Sequence, residues 1–220
     1  MDKKSIIQSI NLTINPQEIV CLIGPNGAGK TTLIKSLLGV LPHTGETTFD
    51  DIDLNGKDRI KALREIGVFI QPNAFYEYLT AYENLNIIQK YYTSTRFGVD
   101  QILDIFNLTE LKNTKVKDYS LGMKQRLSLA VSFFNKPKFL LLDEPFNAID
   151  RSNIDDIVKF IKLIHAEFKT SFLLSTHSLE EVQKIYTRLL IMNKGSVLLD
   201  ASKSEIEPLP VQDIYQNTIA

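Results

Sequence analysis

The chain has 220 residues, with 25 lysines and arginines against 26 aspartates and glutamates and a net charge of −1. That length suffices for one domain with a large core and an inserted lobe, and the balanced charge gives no overall basic field for nucleic acid or anionic lipid. A single cysteine, Cys21, excludes an intrachain disulfide and fits a reducing interior, and no apolar run nears the roughly 20 residues that span a bilayer, so we expect a soluble chain whose partner can still be a membrane protein.

In chain order, the charged start and the short, polar stretch after it do not fit a signal peptide. Residues 9–15 (SINLTIN) alternate apolar and polar, which predicts a strand with one wet face and an edge sheet near the N-terminus. Gln17, in the turn before Glu18, is tolerable there if its φ lies below zero. Residues 19–23 (IVCLI), 68–70, 139–142 and 172–174 are short and continuously apolar, as strands covered on both faces of a parallel sheet are. Residues 72–117 carry helix-like pieces without a buried strand and read as the inserted lobe. Ile154, Ile157, Val158, Ile161, Ile164 and Phe168 recur at spacings of three and four, predicting an amphipathic helix. Ser178 and Glu181 form a capping-box pattern that starts another helix, and residues 188–199 read as a closing hairpin about Asn193, Lys194 and Gly195.

Three segments carry chemistry. Gly24-x-x-x-x-Gly29-Lys30-Thr31 follows an apolar strand and precedes a helical pattern, the spacing and context of a phosphate-binding loop. Glycines let successive N–H groups turn inward around an anion, and the helix directs its positive end at the same spot. Lys30 then reaches the β- and γ-phosphates of a triphosphate and the Thr31 hydroxyl helps hold Mg²⁺. Residues 139–145 (FLLLDEP) end a buried strand in two carboxylates: Asp143 for Mg²⁺ and Glu144 as general base for an attacking water. Ser175-Thr-His177 brings an imidazole to the same sheet edge. His43, in a loop, and His165, on the amphipathic helix, receive no role.

A fourth segment, residues 119–126 (YSLGMKQR), lies shortly before the strand at 139. Together with residues 24–32, 139–145 and His177 it resembles the signature of the ATP-binding cassette ATPases, the motor subunits of transporters, over nearly the whole chain and in family order. The resemblance implies an α/β P-loop NTPase fold: a mostly parallel core sheet with an N-terminal antiparallel β subdomain that lacks its first strand (1–71 and 136–220), and an inserted helical lobe (72–135). It implies that ATP and Mg²⁺ are bound by Asn26, Gly27, Gly29, Lys30, Thr31 and Thr32 of the loop. Gln71 contacts Mg²⁺ and the attacking water, and His177 holds the γ-phosphate. Ser120 and Gly122 meet the phosphate bound by an opposite subunit, and Asp150 lies in the loop between the two sites. The catalytic set so implied is Lys30, Gln71, Glu144 and His177, and the metal set Thr31, Gln71 and Asp143. Ser120 also reads as a helix N-cap whose free N–H groups offer an anion site separate from the loop, so a triphosphate between two such surfaces joins a head-to-tail dimer.

The chain departs from the family's pattern at Leu121 and Met123, where glycine and glutamine are commoner. The Ser-Leu-Gly-Met-Lys-Gln form resembles the branch serving drug, bacteriocin and lantibiotic exporters with separately encoded membrane permeases. It implies a cytoplasmic subunit at the inner face of the membrane, paired with a copy of itself or a paralogue, and no nucleic-acid partner. No aromatic residue precedes Phe49, where the family has one whose stacking on adenine is worth on the order of ten- to a hundredfold in ATP binding, so the expectation is either a truncated chain or adenine held by other groups. Residues 75–82 (FYEYLTAY) concentrate aromatics that either line a groove for a permease helix or form the lobe's own core, and the first case requires Tyr76 or Tyr78 to be exposed. Two rivals stand beside the exporter: a nucleotide-dependent clamp acting on soluble partners, and a subunit that binds ATP without turnover.

Overall fold

The computed structural model describes residues 6–71, 75–92 and 95–219. β1 (Ile19–Ile23) is buried along its whole length and runs into the glycine loop, which opens α1 (Lys30–Leu37). A small antiparallel pair, β2 (Thr48–Phe49) and β3 (Ile52–Asp53), precedes α2 (Arg59–Leu63) and β4 (Ile66–Phe69). Helices α3 (Ala81–Gln89), α4 (Val99–Ile105) and α5 (Leu121–Phe133) follow, with 3-10 turns at Thr109–Leu111 and Val116–Asp118. The chain then returns to the sheet through β5 (Phe139–Asp143), α6 (Arg151–Phe168), β6 (Ser171–Thr176) and α7 (Leu179–Ile185). The hairpin β7 (Arg188–Asn193) and β8 (Ser196–Ser202) and helices α8 (Lys203–Ile206) and α9 (Val211–Ile219) close it.

The strands form one sheet in the order β4-β5-β6-β1-β7-β8, parallel throughout except for β8. Side chains of a strand alternate between faces, and both faces here are covered. Cys21, Leu140, Leu142, Phe172 and Leu174 enter a large core with α3–α7 and α9, whereas Val20, Leu22, Leu141 and Leu173 enter a smaller one under α1. The continuous apolar runs follow from this two-sided cover, and each fully buried Leu or Ile contributes roughly 1.5–3 kcal/mol. Burial in the larger core pushes the Cys21 thiol pKa well up, so it packs as a small apolar group. Between β7 and β8, Lys194 and Gly195 both take positive φ, 47° and 82°, the geometry of a two-residue type I′ turn.

Two expectations need correction. Residues 9–15 form no strand: Ile10, Leu12 and Ile14 do turn inward against the α1-side core, but without a paired neighbour. Their segment is held instead by Gln8 N–H to the Gly195 carbonyl at 2.9 Å and by the Arg188 guanidinium to the Thr13 carbonyl at 2.7 Å. Periodicity reported burial, and a strand also needs a ladder. The antiparallel sheet outside the main one is therefore β2 with β3, seated on β5 through Phe49 on Phe139 and Lys138 to Asp50. Gln17 takes φ 63°, in the left-handed region, held by its N–H on the Ser171 hydroxyl at 2.7 Å.

The capping pattern at Ser178 marks the start of α7 correctly, but its hydroxyl bonds the Glu181 carboxylate rather than a backbone N–H. On α6 the predicted apolar face is buried at Ile157, Val158, Ile161 and Ile164, joined by Phe160.

Candidate nucleotide site

The register decides where the chemistry lies. Ile23 pairs with Thr176 and Asp143 with Ser175, so the exits of β1, β5 and β6 share the carboxyl edge of the sheet. Past β1, Gly24 lies so close to β7 that a Cβ there would stand 2.1 Å from the Met192 carbonyl oxygen. Gly27 and Gly29 take φ 81° and 106°, and Gly29 serves as the N-cap of α1, whose first-turn N–H groups have no partner within the helix.

Lys30, only 6% exposed, donates from Nζ to the Gly24 carbonyl at 2.8 Å and meets Glu144 Oε1 at 3.3 Å. The Thr31 hydroxyl donates to Asp143 Oδ1 at 3.0 Å, and the buried Ser175 hydroxyl donates to the same oxygen at 2.6 Å. Glu144 sits at φ 51°, a strained conformation fixed by its N–H on the Ser175 carbonyl at 3.0 Å. Its other oxygen, Oε2, lies 2.8 Å from His177 Nδ1. One carboxylate thus bridges a lysine and an imidazole, the two donors a phosphate oxygen would also attract.

These groups surround a cleft of about 640 Å³ lined by Asn26, Gly27, Gly29, Lys30, Thr31, Thr32, Glu144 and His177, together with Ile6, Ala28 and Asn147. Asp143 reaches it through Thr31. The donors fit the group the loop implies. Curved backbone and one cation suit a triphosphate, and a hydroxyl beside a carboxylate offers the oxygens Mg²⁺ takes from protein while phosphate and water supply the rest. Among the described residues no cluster of three or more His, Cys, Asp or Glu could hold a metal unaided.

The other sequence candidates do not line the cleft. Gln71 is exposed after β4, and residues 72–74 beyond it lie outside the described residues. Ser120 caps α5: its hydroxyl accepts from Met123 N–H at 3.3 Å while its own N–H meets Met123 Sδ at 3.3 Å, so a thioether completes the capping box. Gly122 is buried, and a Cβ there would fall 2.2 Å from the Asn153 side chain. Asn153 in turn donates to both Asp150 carboxylate oxygens at 2.9 Å. The Asn153 backbone N–H and then the Ser152 hydroxyl hold the Asp150 carboxyl below its usual pKa, so Asp150 is the charged N-cap of α6. Ser120, Gly122 and Asp150 therefore make a second face, joined through Asn153. Sequence reasoning gave no role to Ser175, Asn147, Asn153 or Ile6. The position of Ser175, two before His177, was the only available signal.

A sequence profile of the ABC transporter family matches residues 7–147. The chain belongs to that family, as its ATP-binding ATPase component. It is 36% identical over 201 residues to YdbJ of Bacillus subtilis, an uncharacterized ABC transporter ATP-binding protein, covering 90% of this chain and 65% of that one. It is 34% identical to the lantibiotic transport ATP-binding protein SrtF of Streptococcus pyogenes, covering 99% of this chain and 92% of SrtF. Its fold superposes with a TM-score of 0.79 and 25% identity, over 90% of each chain, on the ATP-binding cassette MJ0796, solved as a dimer in a post-hydrolysis state with ADP and Pi. Among the described residues no helix of this ABC subunit is long and apolar enough to cross a membrane.

Proposed function

We propose that this chain binds and hydrolyses Mg²⁺-ATP to drive export of an antimicrobial peptide, drug or lipid-like cargo, working as a head-to-tail pair of ATPase subunits. The observation carrying this reading is the convergence of Lys30, Asp143, Glu144 and His177 at one sheet edge beside the glycine loop. The exporter direction is supported by likeness to SrtF, which is named for lantibiotic transport.

In this reading the loop N–H groups and the α1 N-terminus hold the β-phosphate, and Lys30 turns from Glu144 to the β- and γ-phosphate oxygens. Thr31 and Asp143 would hold Mg²⁺, which neutralises phosphate charge when bound. Released from Lys30, Glu144 accepts a proton from a water whose oxygen attacks the γ-phosphorus; the bond to the ADP oxygen breaks and inorganic phosphate leaves. His177 holds the γ-phosphate, and Gln71 orients the water from the lobe side. Ser120 and Gly122 of a second subunit close over the same phosphate, with Asp150 between the two sites. Loss of the γ-phosphate loosens the pair.

Residues 72–135 act as the partner-facing lobe. Tyr76 and Tyr78 are 60% and 79% exposed. Their loop is fixed by the buried Asn84 amide, which accepts from Tyr76 N–H at 2.7 Å and donates to the Tyr76 and Thr80 carbonyls. A rigid aromatic surface of this kind suits an amphipathic helix of a separately encoded permease at the cytoplasmic face of the membrane.

The test compares the parent chain with Glu144→Gln for ATP turnover and for mass on size-exclusion chromatography in Mg²⁺-ATP. Turnover should fall by about 10²–10³-fold in the variant, which should elute as a nucleotide-dependent dimer. A parent that neither binds ATP nor turns it over would overturn the reading.

A further inference from the structure

The start of α6 carries an arginine immediately after its capping aspartate, and that arginine spans to α7. Arg151 makes a two-pronged contact with Glu180, one prong at 2.7 Å, and its Nη1 lies 3.7 Å from Glu181 Oε1. Glu181 is only 2% exposed and also takes the Ser178 hydroxyl; Ser178 is the neighbour of His177 and its own N–H bonds the Thr176 hydroxyl at 3.0 Å. Lys184 braces the same junction from Asp155 at 3.4 Å.

Burying a carboxylate is costly unless it is paired and hydrogen-bonded. Among the described residues Arg151 is the cation that reaches Glu181, and Arg151 is covalently tied to Asp150, which binds Asn153 against Gly122. Contacts therefore run without a break from Gly122 through Asn153, Asp150, Arg151, Glu181 and Ser178 to His177, and so to Glu144. The cleft and the face around Gly122 and Asp150 share this lacing.

We propose that Arg151, through Glu180 and Glu181, is a positioning residue that fixes the His177 loop to the Asp150 loop and thereby sets the placement of His177 on Glu144. The inference rests on the ATPase reading above for its kinetic consequence, but its structural consequence stands apart from turnover. Arg151→Ala leaves Glu181 buried without its cation, so the Ser178 turn shifts and the imidazole with it. Arg151→Lys keeps the charge but loses the fork, so it restores only part of the placement.

The experiment uses the full chain as parent, Arg151→Ala, Arg151→Lys and, as a control on the exposed side of the same helix, Lys159→Ala. With three histidines in the chain, their ring carbon–proton resonances are separable by NMR once each is assigned. Arg151→Ala should move the His177 resonance and leave those of His43 and His165 in place. It should also lower kcat about tenfold, with KM for ATP held within about twofold. Arg151→Lys should fall between it and the parent, and Lys159→Ala should match the parent in both readouts. A His177 resonance unmoved in Arg151→Ala, or a kcat loss that only follows a fall in Tm, would overturn the proposal. A parent without turnover would instead sink the ATPase reading, and the NMR arm would still decide the lacing.

Discussion

The cleft and the signature face are made from similar parts, a capped helix start beside a carboxylate, yet they are finished to different degrees. At the cleft, Lys30, Thr31, Asp143, Glu144, Ser175 and His177 satisfy one another at 2.6–3.3 Å within one chain. At the signature face, Ser120 and Asp150 cap their helices and Asn153 fills the space beside Gly122, and none of the three lines the cleft. A surface built this carefully and left facing outward is suited to a ligand brought by another subunit. The contrast assigns stability to the first region and assembly to the second.

Three substitutions sharpen that contrast, in falling order of effect. Ser120→Ala should cost about 1 kcal/mol of stability through the lost cap. It should leave ATP affinity of the single chain unchanged while lowering turnover of the pair by an order of magnitude or more, and equilibrium binding beside steady-state kinetics separates the two. Ser175→Ala strikes the opposite region: Asp143 loses one of its two hydroxyl donors, which should destabilise the fold by roughly 1–3 kcal/mol on thermal or urea unfolding. It should also weaken Mg²⁺-dependent nucleotide binding. Gln17→Gly touches neither region; relief of its left-handed backbone should raise stability by about 1 kcal/mol with turnover unaltered.

Acid should remove the stability that the Asp150 and Glu180 carboxylates contribute. Backbone and hydroxyl donors lower the Asp150 pKa, and the Arg151 hydrogen bonds lower that of Glu180. Groups with depressed folded-state pKa values contribute stability that is complete above their ordinary values, 3.8 and 4.5, and is lost as pH falls through the lowered ones. Because Arg151 and Glu180 are both exposed, added salt should weaken their pairing.

How much could be read beforehand follows the same division. The glycine loop and the residues 139–145 were legible because their chemistry is local: spacing fixes the backbone curve, and a run of apolar residues ending in carboxylates fixes a strand exit. Ser175 escaped because its role depends on β6 lying beside β5, a register that brings it onto a carboxylate 32 positions away. Asn153 and Arg151 escaped for the same reason, their partners lying on α5 and α7. At residues 9–15, alternation showed which side chains turn inward and nothing about which neighbour the backbone would find. The positive φ at Gln17 goes with a bond to the Ser171 hydroxyl, 154 positions away in the chain. The groove reading of residues 75–82 required Tyr76 or Tyr78 to be exposed, and both are.

The most direct test of a site shared between two subunits is complementation. Lys30→Ala, which damages the cleft, and Ser120→Arg, which blocks the signature face, are each purified and assayed alone and after mixing in Mg²⁺-ATP. A shared site predicts two inactive proteins whose mixture regains turnover, because one cleft then pairs an intact Lys30 with an intact Ser120. A mixture that stays as inactive as its components, although mass measurements show that the two variants associate, would contradict it.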